Sequence, residues 1–194
     1  AAMTDCVLCQ EPGGQPIWQG EKLRLIRADE AGFPAFYRIV WNTHVAEFSD
    51  LSAAQRQHCM EAVALVEQVL RQQLQPTKIN LATLGNVVPH LHWHIIARYD
   101  WDSHFPAPVW ASAQRPRDSA REAAVDGGRH AVDRHRPGLQ RIHAAAARAR
   151  HVHAGQQGHR NDAPSRQEDH GSVDQQGRGR SRRTRRRHSA QVQK

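Results

Sequence analysis

The chain has 194 residues, of which 39% are hydrophobic, and its 27 Lys and Arg exceed its 19 Asp and Glu by 8. The excess is unevenly placed: residues 1–114 hold 8 basic and 11 acidic side chains, a net charge of −3, whereas residues 115–194 hold 19 and 8, a net charge of +11. No segment approaches the roughly 18–20 apolar residues of a membrane-spanning helix. The sequence therefore excludes such a helix, and its overall basic charge is no evidence that residues 1–114 bind nucleic acid.

The chain contains three cysteines, Cys6, Cys9 and Cys59. An odd number cannot form a fully paired disulfide framework, and Cys6 and Cys9 are too close together to staple a fold. We therefore expect a reducing, cytoplasmic compartment. A Cys-x-x-Cys pair supplies only two of the four ligands of a structural zinc, and two reduced thiols at a mobile N-terminus are the alternative interpretation. Cys59 is expected to be a small core residue.

Three short apolar runs come first along the chain, separated by turns that contain glycine. They span residues 16–18, 23–26 and 36–41, and each has the length and composition of a β-strand. A segment without Gly or Pro, Ala53–Leu74, then follows a helix-start signal that ends in Ser52. Apolar side chains three or four residues apart predict that this segment is one amphipathic helix. The predicted stripe consists of Met60, Val63, Val66, Leu70 and Leu74.

Two further strands are predicted after the helix, at Lys78–Ala82 and at residues 91–99. Strands, one long helix and two more strands predict an α+β domain over residues 1–114. Its core would be an antiparallel sheet of about five strands packed with one long helix. Apolar strand ends lead us to expect a homodimer.

Residues 115–194 form a basic segment of low complexity. Only 7 of these 80 residues are Leu, Ile, Val or Phe, too few to bury a core, so we expect this tail to be disordered. Three interpretations are open. The tail could be merely solvated, it could bind nucleic acid through the arginine-rich run at residues 178–187, or it could be out-of-frame translation from about residue 125. Residues 115–125 still have the pattern of a helix start.

Three histidines alternate with apolar residues at His90, His92 and His94. In a strand, alternate side chains point to one face, which places these imidazoles about 6.5–7 Å apart on the same face. Leu91, Trp93 and Ile95 would point to the other face and pack on the helix. Each imidazole has two nitrogens that need partners, so three of them on one face are poor core filling. The strand therefore predicts a chemically active face rather than scattered surface histidines.

Two chemical interpretations of this face are open. Neutral imidazoles at close spacing could bind a metal ion. Alternatively, one imidazole could act as a nucleophile on phosphorus while its neighbours orient it and donate to phosphate oxygens.

With this motif the sequence resembles the histidine triad (HIT) family of nucleotide hydrolases and transferases, whose signature is His-x-His-x-His with apolar residues between. The resemblance covers residues 4–112, and nothing in residues 126–194 belongs to it. The matching features are Cys6-Val7-Leu8-Cys9, Asn42-Thr43-His44, Asp50-Leu51, Asn80 and Phe105-Pro106-Ala107-Pro108-Val109-Trp110. The resemblance implies a HIT-like α+β domain that acts on a purine nucleotide conjugate without a redox cofactor.

The resemblance also implies a role for each histidine. His92 would be the nucleophile that forms a covalent nucleotidyl-histidine, which water or another acceptor then releases. His94 would hydrogen-bond a phosphate oxygen or the leaving group, and His90 would orient the site. The nucleotide-binding residues implied by position are Asn80, Gly85, Asn86 and Asp29.

A zinc site is implied in the same way. Several bacterial family members that this chain resembles pair two such cysteines with two histidines. Cys6, Cys9, His44 and His90 would then form a closed Cys2His2 site that ties the N-terminus to the active strand. In that case His90 would have a structural role and would not bind a phosphate.

Three departures from the family pattern put turnover in question. Phe36 stands where many members have a fourth histidine, Asn86 replaces a loop Gln, and Val87 replaces a small hydroxyl residue. They motivate an alternative, a nucleotide-binding or zinc-stabilised regulatory protein without turnover. Further alternatives are a metal-dependent hydrolase that uses the triad as ligands, and nucleic-acid binding through the tail. His58 and His104 are expected to be ordinary surface histidines.

Overall fold

The computed structural model describes residues 5–134, and its framework is one five-stranded antiparallel sheet. The strands are arranged in the order β1-β2-β3-β5-β4. Their bounds are β1 Gln15–Gln19, β2 Leu23–Glu30, β3 Phe33–Trp41, β4 Lys78–Ala82 and β5 His92–Arg98. This architecture confirms the predicted α+β class and each of the five predicted strands.

The long helix α2 spans Ala53–Leu74, the bounds that the sequence predicts. Ser52 caps it, because its hydroxyl accepts a hydrogen bond from the Gln55 backbone N–H at 3.3 Å while the Gln55 side chain accepts from the Ser52 N–H at 2.8 Å. The helix ends where Gln75 adopts a left-handed conformation with φ of 45°. A four-residue helix α1, Val7–Gln10, precedes the sheet. Within residues 5–134 no helix combines the length and apolar character that a membrane crossing needs.

One face of the sheet packs on α2 to form the main core. Alternate residues of the central strands, such as Ile39 and Ile95, meet Val63 and Leu70 of the helix, and all four are fully buried. Each such side chain contributes roughly 1.5–3 kcal/mol of transfer free energy. Because strand side chains alternate, this packing leaves the opposite face of β3 and β5 for the histidines.

The face of α2 that meets the core is wider than the predicted stripe. Cys59 is 1% exposed, as expected, but His58 is only 7% exposed, so the expectation of a surface histidine was wrong. Met60 was also predicted to belong to the buried stripe, but it is 36% exposed. A helix that lies across a sheet buries more of its circumference than a narrow apolar seam indicates.

A third helix, α3, spans Ser119–Asp133 and packs on α2 and β3. The sequence predicts a domain boundary at residue 114 and, beyond it, a helix start at residues 115–125 within a tail otherwise expected to be disordered; α3 lies in this segment. Val132 is buried in the main core, and the Asp133 carboxylate pairs with Arg27 and accepts a hydrogen bond from the Tyr37 hydroxyl at 2.9 Å. The rest of the predicted tail, including the basic run at residues 178–187, lies outside the described residues.

Candidate active site and metal centre

The triad lies at the start of β5, on the face turned away from α2. His92 and His94 belong to the strand, and His90 lies just before it. In the antiparallel pairing of β3 with β5, Arg38 stands opposite His94. Ile95 and Trp93 point to the main core, as predicted. Because side chains alternate between the two faces of each strand, residues of β3 and β5 share one face of the sheet and form the candidate site.

The surroundings of His92 fix which ring nitrogen carries its proton. Its Nδ1 lies 2.6 Å from the backbone carbonyl oxygen of His90, and a carbonyl can only accept, so Nδ1–H is the donor. The ring is 9% exposed, and burial lowers the pKa of His92, with the Arg38 charge acting in the same direction and the hydrogen bond to His90 opposing them. His92 is therefore neutral near pH 7, with an unprotonated Nε2.

His94 has the opposite arrangement of ring nitrogens. Its Nδ1 accepts a hydrogen bond from Arg38 Nε–H at 3.3 Å, and a guanidinium can only donate, so the ring proton is on Nε2. The ring also makes edge contacts with His92, Phe36 and Trp110 at centroid distances of 4.8, 5.4 and 5.3 Å. Burial, His92 and Arg38 together lower the pKa of His94 to about 3. His94 is thus a neutral donor beside the unprotonated nitrogen of His92.

Both rings line an open cleft of about 540 Å³, within the range of small-molecule sites. Its wall is largely apolar and includes the loop that joins β4 to β5. The loop bends at Gly85, whose φ of 71° strongly favours glycine. The lining residues are Val7, Leu8, Gly13, Arg38, Leu84, Gly85, Asn86, Val87, Val88, His92, His94 and Trp110.

The four predicted nucleotide contacts fall into two groups. Gly85 and Asn86 line the cleft, whereas Asn80 and Asp29 do not. The Asn80 side-chain oxygen accepts a hydrogen bond from Arg98 at 2.8 Å, and Arg98 also forms a buried ion pair with Asp102. Asp29 is exposed near the end of β2. The structure therefore brings together two of these four residues with the histidines.

Beside the cleft, the predicted metal ligands Cys6, Cys9, His44 and His90 converge, with all four donor atoms within 4.8 Å of one another. The Nδ1 atom of His90 lies 3.3 Å from Cys6 Sγ, 3.5 Å from Cys9 Sγ and 3.3 Å from His44 Nδ1, and Cys9 Sγ lies 3.4 Å from His44 Nδ1. Tetrahedral zinc with bonds of about 2.0–2.3 Å places its ligands about 3.3–3.8 Å apart. The four residues therefore fit a zinc ion.

The protonation of His90 supports the same fit. Its Nε2–H donates to the Trp41 carbonyl oxygen at 2.6 Å, so Nδ1, which faces both cysteines, is unprotonated. Burial lowers the pKa of His90, which keeps the ring neutral as a metal ligand must be. The carbonyl of the same residue holds His92. His90 thus belongs to the candidate metal site through its ring and contacts His92 of the candidate active site through its backbone carbonyl.

Two arginines at these sites were missed in the sequence. Arg38 interrupts the apolar strand β3, and its position opposite His94 depends on a strand register that composition does not reveal. Arg24 donates to the carbonyl oxygens of Leu8 at 2.7 Å, Pro12 at 3.2 Å and Glu11 at 3.3 Å, and so fastens the cysteine-bearing segment to β2. A lone arginine within a predicted strand was the available signal for both.

Comparison with known proteins agrees with this geometry. The sequence model of the HIT domain family matches residues 12–101. A histidine triad protein from Bradyrhizobium japonicum is 26% identical with a TM-score of 0.52, over 68% of this chain and 91% of its own. The comparison with curated proteins gave no match.

Two further solved structures share the fold. A histidine triad protein from Marinobacter aquaeolei has a TM-score of 0.52 at 21% identity, over 68% of this chain and 92% of its own. A histidine triad protein from Sinorhizobium meliloti has a TM-score of 0.51 at 24% identity, over 66% of this chain and 99% of its own. The fold, the histidine site and the family match define the class as the histidine triad proteins. In this chain the match assigns residues 12–101 to the HIT domain family.

Proposed function

We propose that this protein is a nucleotide hydrolase or transferase that attacks the α-phosphate of a nucleotide conjugate through His92. The observation that carries the proposal is the 2.6 Å hydrogen bond from His92 Nδ1 to the His90 carbonyl. It leaves Nε2 as a lone-pair nitrogen in a cleft of suitable size. A neutral donor, His94, and a cation, Arg38, stand next to it. This combination suits nucleophilic attack on an anionic phosphorus centre.

In the first step, His92 Nε2 forms a bond to the α-phosphorus and the bond from phosphorus to the leaving group breaks. The His94 Nε2–H donates to the departing atom or to a phosphate oxygen. In the second step, water attacks phosphorus, the bond to His92 breaks, and the nucleoside monophosphate leaves with one proton released. Another nucleophile in place of water would make the reaction a transfer.

For nucleotide binding we propose the cleft-lining loop residues Gly85 and Asn86. Asn80 and Asp29 were assigned through the resemblance alone and stay predictions. The homodimer and the cytoplasmic location expected from the sequence also stay predictions.

Release of AMP from adenosine 5′-phosphoramidate tests this function. We expect release by the wild-type protein and a loss of about 10³-fold or more in His92→Asn, since the variant removes the attacking atom. His104→Asn is the matched control, because His104 packs on Phe33 and lies outside the cleft lining. Nucleotide binding without release from the wild-type protein would favour the non-catalytic alternative.

For the metal centre, we propose a structural zinc held by Cys6, Cys9, His44 and His90. The ion would cross-link the N-terminal segment to the residue whose carbonyl holds His92. This ligand set contains His90 but neither His92 nor His94, which disfavours a hydrolase that uses the triad itself as metal ligands.

Metal analysis of the purified protein tests the zinc proposal. We expect about one zinc per chain in the wild-type protein and in Cys59→Ala, whose thiol lies in the main core. We expect the zinc to be lost in Cys9→Ser. Equal zinc content in all three proteins would contradict this ligand set.

A further inference from the structure

We propose that Arg38 is the phosphate-recognition residue of the cleft, supplying its fixed positive charge to the anionic group that His92 attacks. The inference rests on the proposed function and names a residue that the triad motif does not contain. Among the residues that line the cleft within the described part of the chain, Arg38 alone carries a formal charge. A guanidinium can balance the charge of a phosphate anion and donate hydrogen bonds to it at the same time.

The position of Arg38 is held from several sides. Its Nε donates to His94, its Nη2 lies 2.7 Å from the Glu30 carboxylate, and its guanidinium carbon lies 5.2 Å from the Phe36 ring centre. The Arg38 side chain is 20% exposed, so it is anchored but still accessible from the cleft.

The guanidinium retains donor capacity for a ligand. Arg38 has five N–H groups, of which Nε and Nη2 use one each for His94 and Glu30. Nη1 makes one long contact of 3.5 Å with the Gly13 carbonyl oxygen. A phosphate in the cleft can therefore accept directly from Arg38, in addition to accepting from His94.

Part of the cleft wall next to this charge is apolar. Leu84, Val88 and Trp110 contribute apolar surface to the wall of the cleft beside Arg38. A charge-assisted hydrogen bond in such surroundings is stronger than one in open water. Glu30 offsets part of the charge, although its side chain is 44% exposed and therefore partly screened.

The test compares two ligands that differ only in the phosphate, AMP and adenosine, by calorimetric titration. In Arg38→Met we expect the affinity for AMP to fall about 10- to 100-fold and the affinity for adenosine to stay within about twofold. Arg38→Lys should lose less AMP affinity than Arg38→Met, because it keeps the charge. Arg71→Met, on an exposed position of α2, is the control and should bind both ligands as the wild-type protein does.

Equal weakening of AMP and adenosine in Arg38→Met would mean that Arg38 only shapes the cleft, and would overturn the proposal. Unchanged AMP affinity would overturn it as well. If Arg38→Met does not fold, Glu30→Gln provides a second test. Removing the opposing charge should strengthen AMP binding several-fold without changing adenosine binding. AMP binding that is equal to or weaker than that of the wild-type protein would contradict the proposal. The readout is independent of turnover, so a wild-type protein that binds AMP but releases none would fail the proposed function and leave this inference intact.

Discussion

Two neighbouring histidines of one strand are prepared for different tasks by the partners of their Nδ1 atoms. A backbone carbonyl accepts from His92 at 2.6 Å, whereas Arg38 donates to His94 at 3.3 Å. The first ring therefore presents a lone pair and the second presents an N–H. The chemical difference arises from the strand register and the backbone, since the two side chains are identical.

The low pKa of His94 makes a prediction about stability. Its folded pKa of about 3 lies below the ordinary value of 6.5, mainly because of burial, so the unfolded chain binds the extra proton between these two pH values. The free energy of unfolding should therefore be highest above pH 6.5 and fall as the pH drops towards 3. His94→Asn should reduce this slope by up to about 1.4 kcal/mol per pH unit.

Urea unfolding of the wild-type protein and His94→Asn between pH 4 and 8 measures the two slopes. Above pH 7 the slopes should agree, since neither chain takes up a proton at position 94 there. Identical slopes at pH 4–6 would show that folding does not lower the pKa of His94.

At this scale the sequence predicted the triad and the metal ligands but not their partners. His90, His92 and His94 are recognisable because their spacing survives in the one-dimensional sequence. Arg38 and Arg24 are not, because their roles depend on the β3–β5 pairing and on how the N-terminal segment folds back. The hydrogen bond from Arg98 to the Asn80 side chain likewise depends on the pairing of β4 with β5, which sequence position does not reveal.

At the scale of elements, α3 completes the face of the sheet that α2 covers. Its contribution of buried apolar side chains is small, chiefly Val132, and polar contacts do much of the anchoring. Arg129 donates to the Pro34 carbonyl oxygen at 3.2 Å, and Asp133 meets Arg27 and Tyr37. The helix-start signal that ends in Ser52 and the absence of Gly and Pro set the bounds of α2 correctly, whereas α3 was predicted only at its start because the scarcity of Leu, Ile, Val and Phe from residue 115 onward is typical of disorder.

Asp133→Asn tests the anchoring of α3. The Asp133 and Arg27 side chains are 15% and 10% exposed, so the variant leaves a largely buried guanidinium without its counter-charge. We expect a loss of about 2–4 kcal/mol in the free energy of unfolding. The matched control, Asp126→Asn on the same helix, removes a surface pair whose carboxylate is 46% exposed and should cost at most about 1 kcal/mol.

Chemical denaturation of the full chain distinguishes these variants. Equal stability of Asp133→Asn and the wild-type protein would mean that α3 is not anchored through this carboxylate. That result would support the domain boundary predicted at residue 114.

At the scale of the whole molecule, charge and chemistry are separated along the chain. Residues 115–134 contain five basic and four acidic side chains, so residues 135–194 hold the remaining 14 basic and 4 acidic ones, a net charge of +10. Every residue of the candidate site lies before position 111. Turnover should therefore belong to residues 1–134.

Deletion of residues 135–194 tests this separation. We expect the shortened protein to release AMP at a rate within about twofold of the full chain, since no site residue is removed. Any affinity for nucleic acid that weakens steeply with salt should disappear with the deletion. A loss of AMP release would show that the tail contributes to the site.

The most direct test of the central claim is detection of the covalent intermediate. The wild-type protein and His92→Asn would be mixed with adenosine 5′-phosphoramidate, quenched within milliseconds, and digested for mass spectrometry. We predict an adenylyl group on His92 in the wild-type protein and none in the variant. Steady release of AMP from the wild-type protein with no labelled histidine at any quench time would contradict a nucleophilic His92.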